Sequence, residues 1–305
     1  MHRRQFLAVS AAAAVTTRVR AQTHIPADKP LLSFGLLTDV QYADADPEGE
    51  RHYRTSIPKL KEAAADLASR KLPFSLHLGD TIDRDFHSFA AILPLFGGLG
   101  HPARFLLGNH DYSVKDSEKG KVVSTLGMPS DYYAFQVSGV RFVMLDTNEV
   151  STYKYPRGTT GDLAGRAAFE KLADAKQNNA KRWNGGISKT QLAWLSRELA
   201  AADAAQEPAI VCGHHPLIPE DGFQAWDNRE ILTALEGHPC VRAYFCGHKH
   251  EGAQATDKGL PCITFKSLLH KPDVTAYSVL RLFPDRLEIE GRGREASRTI
   301  PLQWA

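Results

Sequence analysis

Five short polar motifs close apolar runs in this chain. They are Asp39-Val40-Gln41, Gly79-Asp80-Thr81-Ile82-Asp83, Gly108-Asn109-His110-Asp111, Gly213-His214-His215-Pro216 and Gly247-His248-Lys249-His250. Carboxylate, amide and imidazole are side chains that hold divalent cations. Two such ions, about 3.5–4 Å apart, need a shared anionic ligand with further donors around it. Asp80 is the natural bridge, and Gly79 lets the chain turn sharply before it. Asp39, Gln41 and His250 then complete one ion; Asn109, His214 and His248 complete the other. The two-residue step from His248 to His250 brings both rings near the same pair of ions. Any one of these residues alone reads as a cap or a satisfied core group. All seven in this order, each after an apolar run, point to a site for two divalent metal ions.

The runs LLSFGLLT, FSLHL, ARFLL, PAIVC and VRAYFC that precede the motifs read as buried strands. Between them, residues 55–70 carry Ile57, Leu60, Ala64 and Leu67 at helical spacing, and residues 86–96 suit a short helix. Residues 112–131 read as loop. A hairpin follows, from Tyr132 to Val137 and Val140 to Leu145, turning at Ser138-Gly139. Residues 150–186 interrupt the rhythm as an insertion over the ligand-bearing edge, with a charged helix near 166–182. Ser188 caps a helix over 188–202 with Leu192, Leu195 and Leu199 as its stripe. A helix near 227–236 lies between the last two ligand strands, and residues 260–305 form a meander of strands. Strands alternating with helices imply an α/β fold, a layered sheet with helical faces.

The chain has 305 residues, 43% hydrophobic and 24% charged, which is ordinary for a globular protein. Its start is different. Arg3-Arg4 precedes an apolar stretch from Leu7 to Val15, and small residues follow near Ala21. Residues 1–21 read as a twin-arginine signal peptide and 22–30 as a lead-in, leaving 31–305 as one domain. The expected location is periplasmic or secreted, with the twin-arginine export machinery as a transient partner. The apolar stretch is too short for a membrane span. The leader holds Arg3, Arg4, Arg18 and Arg20 of the 37 basic residues. Without it the formal charge falls from +2 to −2, which argues against nucleic acid as a partner. Cys212, Cys240, Cys246 and Cys262 form no CxxC pair, and small buried hydrophobes are the favoured reading.

The motif set resembles the calcineurin-like metallophosphoesterase superfamily, over about residues 31–298. The resemblance implies a four-layer α/β/β/α sandwich with mixed sheets and flanking helices. Gln41 stands where most members have histidine. Asp39-Val40-Gln41-Tyr42-Ala43-Asp44 is similar instead to the manganese-dependent ADP-ribose/CDP-alcohol diphosphatases. So are Arg51-His52-Tyr53-Arg54, Asn184-Gly185-Gly186, Ala225-Trp226-Asp227-Asn228-Arg229 and Gly291-Arg292-Gly293-Arg294. An amide oxygen is a harder ligand than imidazole and favours manganese or magnesium over zinc; a water in place of direct ligation is the alternative. Manganese is the expected ion, with magnesium, iron or zinc as substitutes.

The implied chemistry is in-line attack on phosphorus by a hydroxide bridging the ions. His110 is the expected donor to the leaving oxygen. Asp83 would orient its ring, or cap a helix. Arg51, Tyr53 and Arg54 suit substrate phosphates, with surface ion pairs an equal reading. Trp226 and Phe223 can face a base, though core packing is favoured for each. His215 is expected off the metals and His77 is read as a satisfied core histidine. The expected substrate is a small nucleoside-diphosphate conjugate. A phosphomonoesterase or phosphodiesterase acting on phospholipid head groups or nucleotides is the alternative, and a non-catalytic nucleotide-binding protein a further one. Gln41→His should lower the ratio of manganese- to zinc-supported activity. An unchanged ratio would refute the role given to that amide.

Overall fold

The apolar runs ahead of the ligand motifs do form strands, and they divide between two sheets. The structure, a computed structural model, describes residues 28–302. The predicted leader, and most of the lead-in, lie outside the described residues. The first half comprises β1 (Leu32–Leu37), α1 (Ser56–Ser69), β2 (Ser75–His77), α2 (Ser88–Phe96) and β3 (Ala103–Phe105). The stretch read as loop then holds two helical turns, α3 (Asp116–Lys119) and α4 (Val122–Thr125). Helices of four residues are too short to show a periodic stripe, so sequence pattern cannot register them.

β4 (Tyr133–Val137) and β5 (Val140–Met144) make the expected hairpin. α5 (Thr160–Asp174) begins earlier than its charge pattern indicated, because the Thr159 hydroxyl caps it by accepting from the Asp162 amide. α6 (Lys189–Ala205) starts as read, with Ser188 Oγ accepting from the Gln191 amide at 3.1 Å. β6 (Ala209–Cys212), α7 (Asn228–Glu236), β7 (Val241–Cys246), β8 (Ala253–Asp257), β9 (Leu260–Thr264), β10 (Ala276–Leu282), β11 (Arg286–Gly293) and β12 (Arg298–Pro301) complete the chain.

One sheet has the order β12-β11-β10-β1-β2-β3, the other β4-β5-β6-β7-β9-β8. Both are mixed: β1, β2 and β3 run parallel, as do β5, β6, β7 and β9, while β10 pairs antiparallel with β1 and β11, β11 with β12, β4 with β5 and β8 with β9. The inner strands β6, β7 and β9 of the second sheet are buried on both faces, which explains their unbroken apolar runs. Phe142, Met144, Ile210 and Phe245 enter the core shared with the first sheet; Val143, Leu145, Val211 and Tyr244 enter the core under α6 and α7. The Phe34 and Phe142 rings, one from each sheet, meet edge to face at 5.3 Å. On the far side of the first sheet, Leu60, Ala63, Ala64 and Leu67 of α1 are buried. The result is the α/β/β/α sandwich that the sequence implied. Among the described residues no helix is long and apolar enough to cross a membrane.

Residues 150–186 leave the sheet and return to it. Val150 and Gly186 close the base of this excursion by exchanging two backbone hydrogen bonds of 2.9 Å. Lys154 pairs with the fully buried Asp146 at the end of β5 and with Asp131 at 2.7 Å. Ile187 donates its amide to Asp227 Oδ2 at 2.8 Å, while Asp227 Oδ1 is buried without a partner among the described residues. Burial pushes the Asp227 carboxyl up to about 7. The folded chain therefore keeps this proton where the unfolded chain has lost it. Its stabilising effect is complete below about pH 4 and is lost as pH rises through 7. Asp227→Asn should gain stability over the parent between pH 4 and pH 7, with no further change above pH 8. Chemical denaturation at each pH checks this, and a constant difference across the range would contradict it.

Candidate metal centre

The seven predicted ligands converge at the strand ends. Asp39 and Gln41 follow β1, Asp80 follows β2, Asn109 follows β3, His214 follows β6, and His248 and His250 follow β7. Asp39, Gln41, Asp80 and His248 have left-handed backbones, with φ of 51°, 42°, 56° and 68°. Such angles cost a non-glycine residue about 1 kcal/mol or more and persist where surroundings over-determine them. Here they do. The Asp39 amide donates to the Gly79 carbonyl at 3.1 Å and the Gln41 amide to the Asp80 carbonyl at 2.9 Å. The His248 amide donates to the Asp39 carboxylate at 3.2 Å, and Thr38 Oγ1 donates to Asp39 Oδ2 at 2.6 Å. The turns also press together. A Cβ on Gly108 would lie 2.1 Å from Asp80 Oδ1, so only glycine fits there.

Asp39, Asp80 and His250 each present a ligand atom within 4.8 Å of the other two. Gln41 Nε2 lies 2.7 Å from Asp80 Oδ2 and 3.0 Å from His250 Nε2. The other amide atom, Gln41 Oε1, is buried with no partner among the described residues. A half-turn of the amide exchanges the two atoms at no cost in shape, so an oxygen can face the same point. On the other side of Asp80, His214 Nε2 lies 3.3 Å from Asp80 Oδ2 and 3.1 Å from Asn109 Oδ1. His248 Nδ1 lies 3.0 Å from the same Asn109 oxygen and 3.3 Å from His214 Nε2. Two imidazole nitrogens and an amide oxygen thus aim at one place, next to a carboxylate shared with the first group. This donor set fits two divalent cations bridged by Asp80.

The electrostatics agree. Burial opposes the charge on Asp80, but His214 and His110 beside it hold its carboxyl well below the usual range. Burial likewise opposes protonation of His214, yet Asp80 and Asp39 raise it to about 9. Strong negative potential of this kind draws cations. His110 Nδ1 sits 3.0 Å from Asp83 Oδ1, an ion-pair contact too bent for a hydrogen bond. Its backbone amide donates to Asp80 Oδ1 at 2.7 Å. Burial opposes its charge, but Asp80 and Asp83 raise the His110 ring above its ordinary value.

The predicted substrate residues are scattered. Arg51 has no side-chain hydrogen bond or ion pair among the described residues, and its charge acts on His110. Tyr53 is a correction: its ring is buried, and its hydroxyl is occupied by Arg84 Nη2 at 3.1 Å. Arg54 takes the surface ion-pair reading, committed to Asp44 at 2.5 Å and Asp46 at 2.6 Å. Trp226 takes the core packing favoured for it and faces no base: it is buried, and its Nε1 donates to the Lys181 carbonyl at 3.3 Å. In its place Phe223 is 37% exposed, with its ring 6.0 Å from that of His248, and Trp183 is 49% exposed. His215 stays off the cluster, its nitrogens engaged by Thr147 Oγ1 at 2.8 Å and the Trp183 carbonyl at 3.2 Å. His77 is a core residue, but not a satisfied one: both ring nitrogens lack partners among the described residues. The four cysteines are buried and free.

Two supporting residues were missed. Asn184 Oδ1 meets His248 Nε2 at 2.9 Å, leaving Nδ1 to face the centre. Its place before Gly185-Gly186 drew notice in the sequence without a role. Asp111 accepts four buried amides: Thr81 at 2.8 Å, Gly108 at 2.9 Å, Asp80 at 3.1 Å and Ile82 at 3.3 Å. It looked like the tail of a motif, and only the fold shows that it holds two loops together.

This geometry is that of a metal-dependent hydrolase. The chain belongs to the calcineurin-like phosphoesterase family, whose model matches residues 32–252. It is 30% identical to a manganese-dependent ADP-ribose/CDP-alcohol diphosphatase of Oryza sativa subsp. japonica, over 90% of this chain and 95% of that protein. It is 28% identical to the protein of the same name from Homo sapiens, over 88% and 92%. Its fold matches a dimetal phosphatase from Danio rerio with a TM-score of 0.81, at 24% identity, over 90% of this chain and 100% of the other.

Removing the Asp111 carboxylate strands four buried amides, each costing about 1–3 kcal/mol. Asp111→Ala should lose at least about 3 kcal/mol of unfolding free energy, and Asp111→Asn, which keeps one acceptor, should lose less. Equal losses in urea denaturation would refute this account of the loop.

Proposed function

We propose that the protein hydrolyses the phosphoanhydride bond of small nucleoside-diphosphate conjugates such as ADP-ribose or CDP-alcohols, with manganese as its metal. The observation that carries this reading is the amide of Gln41 within a carboxylate–imidazole cluster, its oxygen buried without a partner among the described residues. The names of relatives that cover nearly the whole chain support it. Asp39, Gln41, Asp80 and His250 would hold one ion; Asp80, Asn109, His214 and His248 would hold the other. Bound ions neutralise phosphoryl charge and lower the pKa of water.

The chain's own residues supply the rest. Asp80 and Asp83 favour the doubly protonated His110 ring, which would keep one proton on Nδ1 beside Asp83 and give the other, from Nε2, to the leaving phosphate oxygen as general acid. The Arg51 guanidinium, unpaired among the described residues, suits the second phosphate of a diphosphate. Phe223 and Trp183 offer aromatic faces beyond the phosphates, where a base or sugar can lie. Asn184 keeps His248 oriented throughout.

One panel tests the reading: the mature chain with manganese against ADP-ribose, a CDP-alcohol, a phosphomonoester and a simple diester. The diphosphates should be turned over at least about 100-fold more efficiently, which corresponds to about 2.7 kcal/mol of transition-state stabilisation. Equal or better turnover of the monoester would sink the proposal and favour the phosphomonoesterase alternative.

A further inference from the structure

His250 is held from behind by an unusual partner. Its Nδ1 lies 2.7 Å from His270 Nε2, with the rings nearly perpendicular at 79° and 4.6 Å apart. His270 Nδ1 in turn lies 3.0 Å from Glu251 Oε1. A carboxylate accepts only, so the His270 proton sits on Nδ1 and its Nε2 is an acceptor. His250 must then donate from Nδ1, which leaves the lone pair on its Nε2. The Nε2 atom faces the centre, 3.5 Å from Asp39 Oδ1.

The relay is anchored at both ends. Arg294 Nη2 reaches both Glu251 oxygens, at 3.3 and 3.2 Å, and Arg294 Nη1 donates to the Ser267 carbonyl at 3.0 Å. This gives work to the last arginine of Gly291-Arg292-Gly293-Arg294. The buried Lys59 ammonium donates to the carbonyls of Leu269 at 2.9 Å and Lys271 at 2.8 Å, clamping the residues on either side of His270.

We propose that His270 is a positioning residue for the metal centre: with Glu251 it fixes the proton of His250 on Nδ1 and turns the Nε2 lone pair toward Asp39 and Asp80. This rests on the functional reading above only in taking His250 as a metal ligand. Metal-bound imidazoles ordinarily hand their second N–H to a carboxylate or carbonyl, and losing that partner weakens metal binding about 10–100-fold. Here a second imidazole passes the carboxylate's influence inward.

Two variants test it. His270→Phe keeps the ring volume and removes the acceptor; His270→Gln restores one. Manganese titration of the full chain, followed by electron paramagnetic resonance, should show one of two ions weakened about 10–100-fold in His270→Phe and largely recovered in His270→Gln. In the chelator-treated chain, nitrogen-15 NMR should find His250 protonated at Nδ1, and His270→Phe should shift it toward the Nε2-protonated form. Unchanged manganese affinity in His270→Phe would overturn the proposal, as would equal weakening in both variants. Failure of the wild-type chain to bind manganese would overturn the functional reading instead, and the tautomer of His250 would still decide whether the relay exists.

Discussion

Asp80 is a carboxylate buried completely at the meeting point of two sheets, and the surroundings follow from making that tolerable. An isolated buried charge costs several kcal/mol. Its neighbours offset the cost: the His110 amide at 2.7 Å, the Gln41 amide group at 2.7 Å and the His214 ring at 3.3 Å. None of these partners is close in sequence to all the others. They can assemble only if β1, β2, β3 and β6 end at the same level, and the parallel registers of both sheets ensure this. The same requirement dictates the glycines. Gly108 must pass within contact distance of Asp80, and Gly247 within contact distance of Asp39, where a Cβ would lie 2.4 Å from Oδ2. Asp111 then locks the two loops by collecting four amides that no strand can satisfy.

Much of this was legible because it lies on a periodic scaffold. Strands buried on both faces print unbroken apolar runs, and a polar residue that ends such a run stands out. Hence the strand ends that carry the seven candidate ligands, the hairpin from Tyr133 to Met144 and the Ser188 cap could be read from the sequence. What escaped lacks periodicity. The four-residue helices α3 and α4 have no stripe, and α5 packs few buried residues, so charge pattern placed its start too late. Asp111 and His270 act through contacts across 30 or 20 residues of chain, and nothing in their local sequence says where they point.

The predicted substrate residues divide for one reason. Arg51, Tyr53 and Arg54 are neighbours in sequence, but at the entrance to α1 their side chains leave in different directions. Tyr53 turns inward to pack with Ala43 and Leu269, and Arg54 turns outward to two aspartates. Of the three, only Arg51 has no side-chain partner among the described residues. A motif shared with relatives thus mixes residues kept for packing with residues kept for chemistry, and burial separates them. Trp226 and Phe223 divide in the same way: the larger ring fills the core, while the smaller stays 37% exposed beside His248.

That division bears on substrate choice. The centre is made of ligands fixed by strand ends and is blind to anything beyond a phosphoryl group. Discrimination must come from the rim, where side chains sit on loops and few partners restrain them. The rim here carries a cation at Arg51 and aromatic faces at Phe223 and Trp183. A phosphomonoester on a small alcohol would leave all three in water. A diphosphate bearing a base can engage the cation and the rings together while the centre holds the scissile phosphoryl group. Leaving two large apolar rings exposed forgoes burial worth about 25 cal/mol per Å². Single exposed apolar side chains are ordinary on a folded surface, so it is their place, Phe223 beside His248 and Trp183 next to the Asn184 that holds it, and not exposure alone, that suits these rings to contact a base on the proposed reading.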